Sequence, residues 1–343
     1  ILIIYILIIL FKTGNVLSDN NIFNVNNIEI DKETSKNNEK LVNLAFQKGF
    51  KELINRLLLE DDYKKISTTN LEQIKKLISY YQIKNDDEQK INNNKVIFNI
   101  FFDKDKMHDF FYQKNILYSD IINTDITIFP LLIKNKEYFI YAKNYFYENW
   151  KNENSKDLIQ YILPVENIES IQKIKVNKEN IYNLNIKEFF KEYSSENMVF
   201  AIIEVNKNSA KVFLNTQISG KKINKNLYIS NSGLEKKNFN DEIILEIKNI
   251  IKDLIKAQNL IDVRTPSFLN VEIKLNNKKN LVEFNDRLKK IDLIDNFYVQ
   301  QLNKDFVLIK IKYLGKINKI IKKLKDQNID LYLREGQWEL NII

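Results

Sequence analysis

The sequence predicts an α+β protein made of three small α/β modules, and three observations lead to that class. Helix-type and strand-type spacings of apolar residues alternate along the chain, so helices and strands belong to the same modules. The length of 343 residues exceeds the roughly 250–300 residues at which a single hydrophobic core stops growing. With 6 Gly, 3 Pro and 44% hydrophobic residues, the composition is that of a globular protein rather than a collagen or a disordered chain.

Residues 1–18 have the pattern of a secretory signal peptide. Ile1–Phe11 form an apolar run that is shorter than the about 20 residues of a membrane-spanning helix and suits a signal h-region. Val16 and Ser18 place small residues at the −3 and −1 sites, so we expect cleavage after Ser18. Because the chain begins with Ile and has no basic n-region, we expect a few residues before Ile1. The predicted location is the periplasm or another exported compartment; the alternative is that Ile1–Phe11 form a buried strand.

The first module is predicted over residues 19–120, in the order β-α-α-β-β-α. Its elements are a strand at Asn21–Ile30, helices at Ser35–Leu59 and Asn70–Ile78, strands at Ser79–Asn85 and Lys95–Phe102, and a helix through Phe110 and Phe111. The first strand has a slip in its alternation near Asn26 and Asn27. Thr68 or Thr69 is expected to cap the second helix, and Asp103 or Asp105 the last one.

The middle module is predicted over residues 121–262 as an α/β unit with at least four strands. Its strands are expected at Ile126–Ile133, Tyr138–Tyr141, Ile159–Leu163, Met198–Val205, Ala210–Ile218 and Lys222–Ile229. Its helices are expected at Val165–Ile174, Ile186–Tyr193 and Asn240–Gln258. The last of these helices carries isoleucines on one face, which is typical of a helix that covers a sheet.

The third module is predicted over residues 263–343 with a ferredoxin-like, split βαβ layout. Strands at Phe268–Leu275, Asn296–Leu302, Phe306–Leu314 and Ile329–Arg334 alternate with helices around Leu281–Ile291 and Ile317–Leu324. This βαββαβ order is the sequence pattern of that layout. Glu335-Gly336 then turns into a last apolar segment with Trp338, Leu340 and Ile342.

Several segments also occur in the order of a known family: Ala45–Leu59, Ile78–Phe111, Asn149–Trp150, Tyr161–Ser170, Lys191–Val205, Tyr313–Leu331 and Gly336–Leu340. They resemble the proteobacterial family of exported proteins called domain of unknown function two thousand and sixty-six. The resemblance covers essentially the whole mature chain and implies an envelope location without an established activity. After Leu163-Pro164 the family tends to show an Asp-rich stretch, whereas this chain has Glu166 and Glu169, which argues against a demanding metal site there.

The composition excludes several kinds of chemistry. A chain without Cys has no disulfide, zinc–thiolate site, iron–sulfur cluster or Cys nucleophile. His108 is the single His, so a His-based triad or metal site has to use it. Asp105 and Asp109 lie beside it, but one His is a poor transition-metal site, and we expect a surface or half-buried side chain. We find no nucleotide-binding glycine loop, nucleophile elbow, zinc-protease or calcium-loop pattern.

Glu166 and Glu169 are the candidate catalytic residues. Paired carboxylates can carry out acid–base chemistry or bind a cation. Their position at a predicted helix start also suits plain stabilisation of the helix dipole, and we favour that interpretation because the E-x-x-E pattern is common.

The candidate binding residues are aromatic or basic. Tyr145, Tyr147 and Trp150 form an aromatic cluster that could line a ligand groove, whereas Trp338 alternates with core residues and is expected to pack. A predicted amphipathic helix over 316–325 carries lysines on its polar face, among them Lys316, Lys319, Lys322 and Lys323. Such a helix could bind an anionic lipid or phosphate backbone. The alternative is a core helix with a solvated lysine face, in a chain dominated by Ile, Lys and Asn, as is typical of an AT-rich bacterial genome.

The sequence therefore predicts an exported, envelope-associated and non-catalytic binding or assembly module, with no cofactor and no metal. Its expected partner is an envelope protein, peptidoglycan or the membrane surface rather than nucleic acid, despite a net charge of +8. Two alternatives stay open. One is a carboxylate-dependent hydrolase of the envelope that uses Glu166 and Glu169. The other is a binder of anionic lipid or nucleic acid through the helix over 316–325.

Overall fold

The computed structural model describes residues 21–34, 37–84, 94–121, 123–150, 159–189, 193, 195–274 and 279–342. They divide into two compact units: unit 1 contains the described residues up to Tyr118 and those from Leu260 onward, and unit 2 runs from Ser119 to Asn259. The predicted signal segment, residues 1–18, lies outside the described residues. The mixture of helices and strands confirms the predicted α+β class.

The first segment of the chain contains β1 (Asn24–Asp31), α1 (Asn38–Leu57), α2 (Glu60–Ile66), α3 (Leu71–Leu77), β2 (Ile78–Lys84), β3 (Lys95–Phe102), α4 (Lys104–Lys114) and β4 (Tyr118–Ser119). Strands β1 to β3 form an antiparallel sheet in the order β1-β3-β2. The predicted slip in β1 is confirmed, because the register shifts between Val25 and Ile28. Asn27 takes a left-handed conformation there, and its N–H donates to Asn99 Oδ1 at 2.9 Å.

Helix α1 packs on this sheet through its apolar stripe, which includes Phe46, Phe50 and Leu53. At Gly49 the helix lies so close to β3 that an added Cβ would be 2.6 Å from Ile100 Cδ1. The prediction that Thr68 or Thr69 caps α3 is wrong. Asn70 is the cap, since its Oδ1 accepts from Gln73 N at 2.9 Å, while Thr69 Oγ1 donates to the carbonyl of Ile66 at the end of α2.

Unit 2 contains β5 (Thr124–Lys134), β6 (Glu137–Phe139), α5 (Tyr145–Asn149), β7 (Ile159–Ile162), α6 (Ile168–Val176), α7 (Ile186–Phe189), β8 (Met198–Val205), β9 (Ser209–Ile218), β10 (Lys221–Ser230) and α8 (Lys236–Gln258). Its sheet follows the order β10-β9-β8-β5-β6, and β7 also pairs with β5. Both faces of β5 are buried, as expected of a strand that runs parallel to β8. One face packs with α8, and the other packs near α6 and α7.

The last segment contains β11 (Leu260–Ile261), β12 (Ser267–Lys274), α9 (Lys279–Lys289), β13 (Ile294–Leu302), β14 (Phe306–Tyr313), α10 (Ile317–Asp326), β15 (Ile329–Arg334) and β16 (Gln337–Ile342). Strands β12 to β16 form a sheet in the order β13-β14-β12-β16-β15. The predicted βαββαβ order is present. The last strand, β16, enters the sheet between β12 and β15, parallel to β12 and antiparallel to β15, so the sheet has one strand more than the split βαβ layout.

The first and last segments share one hydrophobic core. Its buried residues include Phe50 and Phe102 from the first segment and Phe284, Ile311 and Leu324 from the last. The limits of unit 2 lie within three residues of the predicted module boundaries at 120/121 and 262/263. The predicted first and third modules thus belong to a single unit, and the second is an insertion in its sequence.

Candidate functional site

A groove of about 530 Å³ lies in unit 1. It is lined by Ser79 and Tyr80 at the start of β2, Asp103–Asp105 at the start of α4, and Ile294–Phe297 at the start of β13. Strand β2 ends the order of its sheet and β13 ends the order of the other sheet of this unit. The groove, called the edge groove below, is therefore bordered by two strand edges that pair with no further strand among the described residues. Such edges offer backbone N–H and C=O groups for pairing.

Lys104 connects the two segments of unit 1 at the edge groove. Its Nζ donates to the carbonyl oxygen of Ile294 at 2.9 Å. Burial lowers the pKa of Lys104, and the nearby carboxylates of Asp292, Asp105 and Asp295 act in the opposite direction. Since this ammonium already bonds to the backbone of β13, it fixes the position of that edge rather than forming a general-base site.

Three side chains on β2 that face solvent are aromatic or aliphatic. Tyr80 stacks on Phe101 with ring centroids 4.2 Å apart and an interplanar angle of 11°. Tyr80, Tyr81 and Ile83 are all exposed. Tyr81 also makes an edge contact with Phe46 of α1, with centroids 5.2 Å apart. Contacts with Phe101 and Phe46 thus fix the positions of Tyr80 and Tyr81, which present apolar surface beside the groove.

Strand β13 presents a longer apolar edge. Tyr298, Val299 and Leu302 are 50%, 60% and 63% exposed. Asp295 at its start forms an ion pair with Lys312 of β14 at 2.6 Å, and from Asn296 to Leu302 the strand carries no charge. In a chain with 29% charged residues, the uncharged stretch from Asn296 to Leu302 is a feature of the sequence that marks this surface.

His108 lies in the core of unit 1, so the expectation of a surface or half-buried side chain is wrong. Its Nε2 is 3.1 Å from the hydroxyl oxygen of Tyr118, and Phe23 packs edge-on against its ring. Burial, with a smaller contribution from Lys104, lowers the pKa of His108 to about 4, and Asp295 opposes the shift. The residue is buried because its helix face also carries Met107 and Phe111, which pack inward. A neutral, buried imidazole with a tyrosine partner serves packing rather than metal binding.

Glu166 and Glu169 are exposed in unit 2. Asn167 caps α6 by accepting from Ser170 N at 2.7 Å, and Glu169 lies in the first helical turn. This is the position at which a carboxylate stabilises a helix dipole. No group of three or more His, Cys, Asp or Glu side chains arranged to hold a metal ion occurs in the part of the chain that the structure describes.

The structure distributes the three aromatic candidates between the two cores of unit 2. Tyr145 donates its hydroxyl to Asp241 Oδ1 at 2.7 Å, and burial together with this carboxylate raises the pKa of Tyr145 to about 12. Tyr147 is half-buried and donates to the carbonyl of Pro164 at 2.8 Å, which holds the segment that precedes Glu166. Trp150 is buried in the core of unit 2 against Tyr161. Tyr145 and Trp150 thus pack against the same core, whereas Tyr147 packs against the other core of unit 2.

The basic helix is α10. Ile320 and Leu324 are buried against the sheet, and Ile317 and Ile321 are half-buried against the same core. Lys316 and Lys322 are exposed, whereas Lys319 and Lys323 are half-buried. The apolar face is therefore occupied by the core of unit 1. Trp338, as expected, packs against that core.

No family model matches this chain, and no curated protein matches it. The crystal structure of lipoprotein GNA1162 from Neisseria meningitidis is similar to it at 13% identity, with a TM-score of 0.22, over 37% of this chain and 96% of that one. A similarity with this TM-score carries no argument about fold or function. The resemblance to the exported family of unknown function stays a prediction. Within the described ranges, no helix has the length and hydropathy to cross a bilayer.

Proposed function

We propose that this chain is an exported, envelope-associated binding module that holds a partner protein at the open strand edges of unit 1. The observation that carries the proposal is the edge groove, bordered by β2 and β13. A groove of about 530 Å³ is large enough for side chains of a bound segment. The two edges supply main-chain hydrogen bonds, which is how extended peptides add to a sheet.

The character of the exposed residues supports protein rather than small-molecule recognition. Aromatic residues such as Tyr80 and Tyr298 are enriched in protein interfaces because they combine a large apolar area with a polar group. Three of the five charged residues that line the groove already have intramolecular roles: Asp103 caps α4, Lys104 bonds to Ile294, and Asp295 pairs with Lys312. This arrangement favours a partner that binds through backbone and apolar contacts.

The envelope location rests on the pattern of residues 1–18 described from the sequence, and it is tested separately. Cell fractionation of the tagged protein, with N-terminal sequencing of the product, should find it in the periplasm with Asp19 as its first residue. Recovery of the chain in the cytosol with residues 1–18 intact would contradict the proposed location.

The binding role is tested by capture of partners from cross-linked envelope fractions. We compare the tagged chain with the double variant Tyr80→Lys, Val299→Lys, which places charge on both edges. The control is Tyr112→Lys, Val282→Lys, at two residues that are as exposed and lie on helices α4 and α9. A protein captured by the native chain and the control, but lost with the edge variant, is the expected result. Capture that is equal for all three proteins would overturn the proposal.

The two alternatives from the sequence have their own tests. If Glu166 and Glu169 carry a hydrolase activity, changing both to Gln should abolish it. If α10 binds an anionic surface, affinity for anionic vesicles should fall with salt and with Lys322→Gln, Lys323→Gln.

A further inference from the structure

A pocket of about 420 Å³ lies in unit 2 and shares no residue with the edge groove. Its floor contains Ile202 of β8, which is buried, and Phe213 of β9, which is half-buried. Tyr182, from a short 3-10 helix at Lys178–Asn183, contacts Phe213 edge-on with ring centroids 5.4 Å apart. Tyr228 of β10 adds a further aromatic ring to the lining. We call this site the tyrosine pocket.

The tyrosine pocket lies where the layer that covers one face of the sheet ends. On β8 this face is buried, and Phe200 and Ile202 belong to its core. On β10 the residues of the same face, Asn224, Asn226 and Tyr228, are exposed. The Tyr228 side chain is 66% exposed. An aromatic ring that remains in solvent beside an apolar floor offers contact area to a ligand.

Glu204 and Lys211 bring opposite charges to the tyrosine pocket. They lie directly opposite each other on β8 and β9, and Tyr228 lies opposite Lys211 on β10, so the three side chains form one row. Both charged residues are exposed, and no ion pair joins these two described side chains. Burial raises the pKa of Tyr182, and the carboxylate of Glu204 raises it further, followed by Tyr138. The carboxylate is therefore close to the Tyr182 ring.

The two charges restrict the chemistry of a ligand. A cation that binds the aromatic rings and Glu204 would also meet the ammonium of Lys211. An anion that binds Lys211 would meet the carboxylate of Glu204. A ligand with one ammonium and one carboxylate can pair with both side chains. Since directly opposite residues have Cβ atoms about 4.5–5.5 Å apart, the arrangement suits two charged groups on one carbon atom, as in an α-amino acid.

We propose that the tyrosine pocket binds a free α-amino acid with an apolar or aromatic side chain. Glu204 accepts hydrogen bonds from the α-ammonium, and Lys211 donates to the α-carboxylate. The side chain of the ligand packs on Phe213, between Tyr182 and Tyr228. This site belongs to unit 2, and it does not depend on the protein-binding role proposed for the edge groove of unit 1.

Isothermal titration calorimetry of the full chain with matched probes tests the need for both charges. L-Phenylalanine carries both, phenethylamine lacks the carboxylate, and 3-phenylpropionate lacks the ammonium. We expect the Kd of L-phenylalanine to be at least about tenfold lower than that of either other compound, because each of them loses one charged hydrogen bond. N-Acetyl-D-glucosamine is the uncharged probe and should bind more weakly than L-phenylalanine.

Variants assign each charge to its residue. Glu204→Gln and Lys211→Gln should each raise the Kd of L-phenylalanine by at least about tenfold. Glu204→Gln should lower the Kd of 3-phenylpropionate, since it removes a repelling carboxylate, and Lys211→Gln should do the same for phenethylamine. A general loss of structure would not produce these opposite changes. The controls are Glu235→Gln and Lys221→Gln, at exposed positions of unit 2 outside the pocket, and they should leave all affinities unchanged.

Three results would overturn the proposal: no binding of L-phenylalanine, equal affinity for the three aromatic probes, or tighter binding of N-acetyl-D-glucosamine than of L-phenylalanine. Equal affinity would mean that the pocket holds apolar groups without reading their charge. Tighter binding of the sugar would assign the pocket to an uncharged ligand. The capture experiment on the edge groove is separate, so its outcome does not affect this test.

Discussion

Strands β10 and β13 are edge strands of similar length, 10 and 9 residues. An edge strand can pair with a strand of another molecule, and the two strands differ in the side chains that they present to such a strand. Strand β10 carries Lys221, Lys222 and Lys225 in its first half, and a strand of another molecule that pairs there would have to desolvate them. Strand β13 presents Tyr298, Val299 and Leu302 instead. The chain is rich in lysine overall, yet lysines lie on the edge strand β10 and are absent from the edge strand β13. The charge of an edge therefore depends on its position in the fold and not on the composition alone. The β10 edge is charged over its first half, whereas the β13 edge is uncharged from Asn296 to Leu302 and is interrupted by a register shift between Val299 and Gln301.

The largest expected effect on the free energy of unfolding comes from a comparison of a buried leucine that covers the sheet of β13 with an exposed leucine on β13 itself. Leu324→Ala should lower the free energy of unfolding by about 2–5 kcal/mol, because Leu324 is fully buried between α10 and the core of unit 1. Leu302→Ala makes the same change at an exposed position of β13 and should cost less than about 0.5 kcal/mol. Urea unfolding of the monomer measures both. Equal losses would mean that the edge contributes to folding and is not reserved for association.

Acid should destabilise unit 1 more than unit 2, since unit 1 holds the single His. The pKa of His108 is about 4 in the fold and about 6.5 when unfolded, so the unfolded chain binds the extra proton first. The free energy of unfolding is therefore not reduced by His108 above pH 6.5, and it decreases as the pH falls from 6.5 toward 4. At about 1.4 kcal/mol per pH unit of pKa difference, the loss approaches about 3 kcal/mol.

The two tryptophans report this difference by fluorescence, because Trp150 lies in unit 2 and Trp338 in unit 1. In denaturant titrations from pH 7 to 4.5, the transition seen by Trp338 should move to lower denaturant more than the one seen by Trp150. His108→Gln, whose side chain does not titrate, should remove most of the shift. A shift that persists in this variant would assign the acid sensitivity to carboxylates.

Lys104→Met should lower the free energy of unfolding by about 1–3 kcal/mol, because it removes a charged hydrogen bond to the Ile294 carbonyl that joins the two segments of unit 1. Lys106→Met, at an exposed position of the same helix, provides the control and should change stability by less than about 0.5 kcal/mol. Thermal or urea unfolding gives both numbers. Equal effects would show that the Lys104 bond contributes no stability.

The smallest effect on folding should come from removing lysines at the protected edge. Lys222→Thr, Lys225→Thr should change the free energy of unfolding by less than about 0.5 kcal/mol, but should introduce concentration-dependent association through β10. Light scattering detects the association. Lys236→Thr, Lys237→Thr, on the exposed start of α8, removes the same charge and should leave the protein unassociated. If both variants associate, net charge rather than edge protection controls solubility.

Most of the secondary structure follows from spacing in the sequence. Strand β9 and helix α10 match their predicted positions closely, because their apolar residues recur at the period of a strand and a helix. Helix α2 is missing from the prediction, although Glu60, Asp61 and Asp62 in its first turn are a start signal. It is short and contributes one fully buried residue, Ile66, so its apolar periodicity is weak.

The edge groove could not be predicted, because its walls come from residues that are about 190 positions apart, such as Lys104 and Ile294. Local periodicity contains no information on such long-range contacts. The position of β16 between β12 and β15 has the same origin: the sequence indicates a strand there, but not its neighbours. The burial of His108 was not predicted, because the sequence does not show that a polar histidine lies on the same inward helix face as Met107 and Phe111.

The interruption of unit 1 by unit 2 in the sequence has a consequence for synthesis on the ribosome. Residues up to Tyr118 leave the ribosome well before those from Leu260 onward that complete the same core. At about 5–20 residues per second, the first segment waits for many seconds with its apolar face incompletely covered. The inserted unit 2 has its own core and can fold during that interval. The early segment is therefore the part of the nascent chain whose apolar surface stays exposed for the longest time.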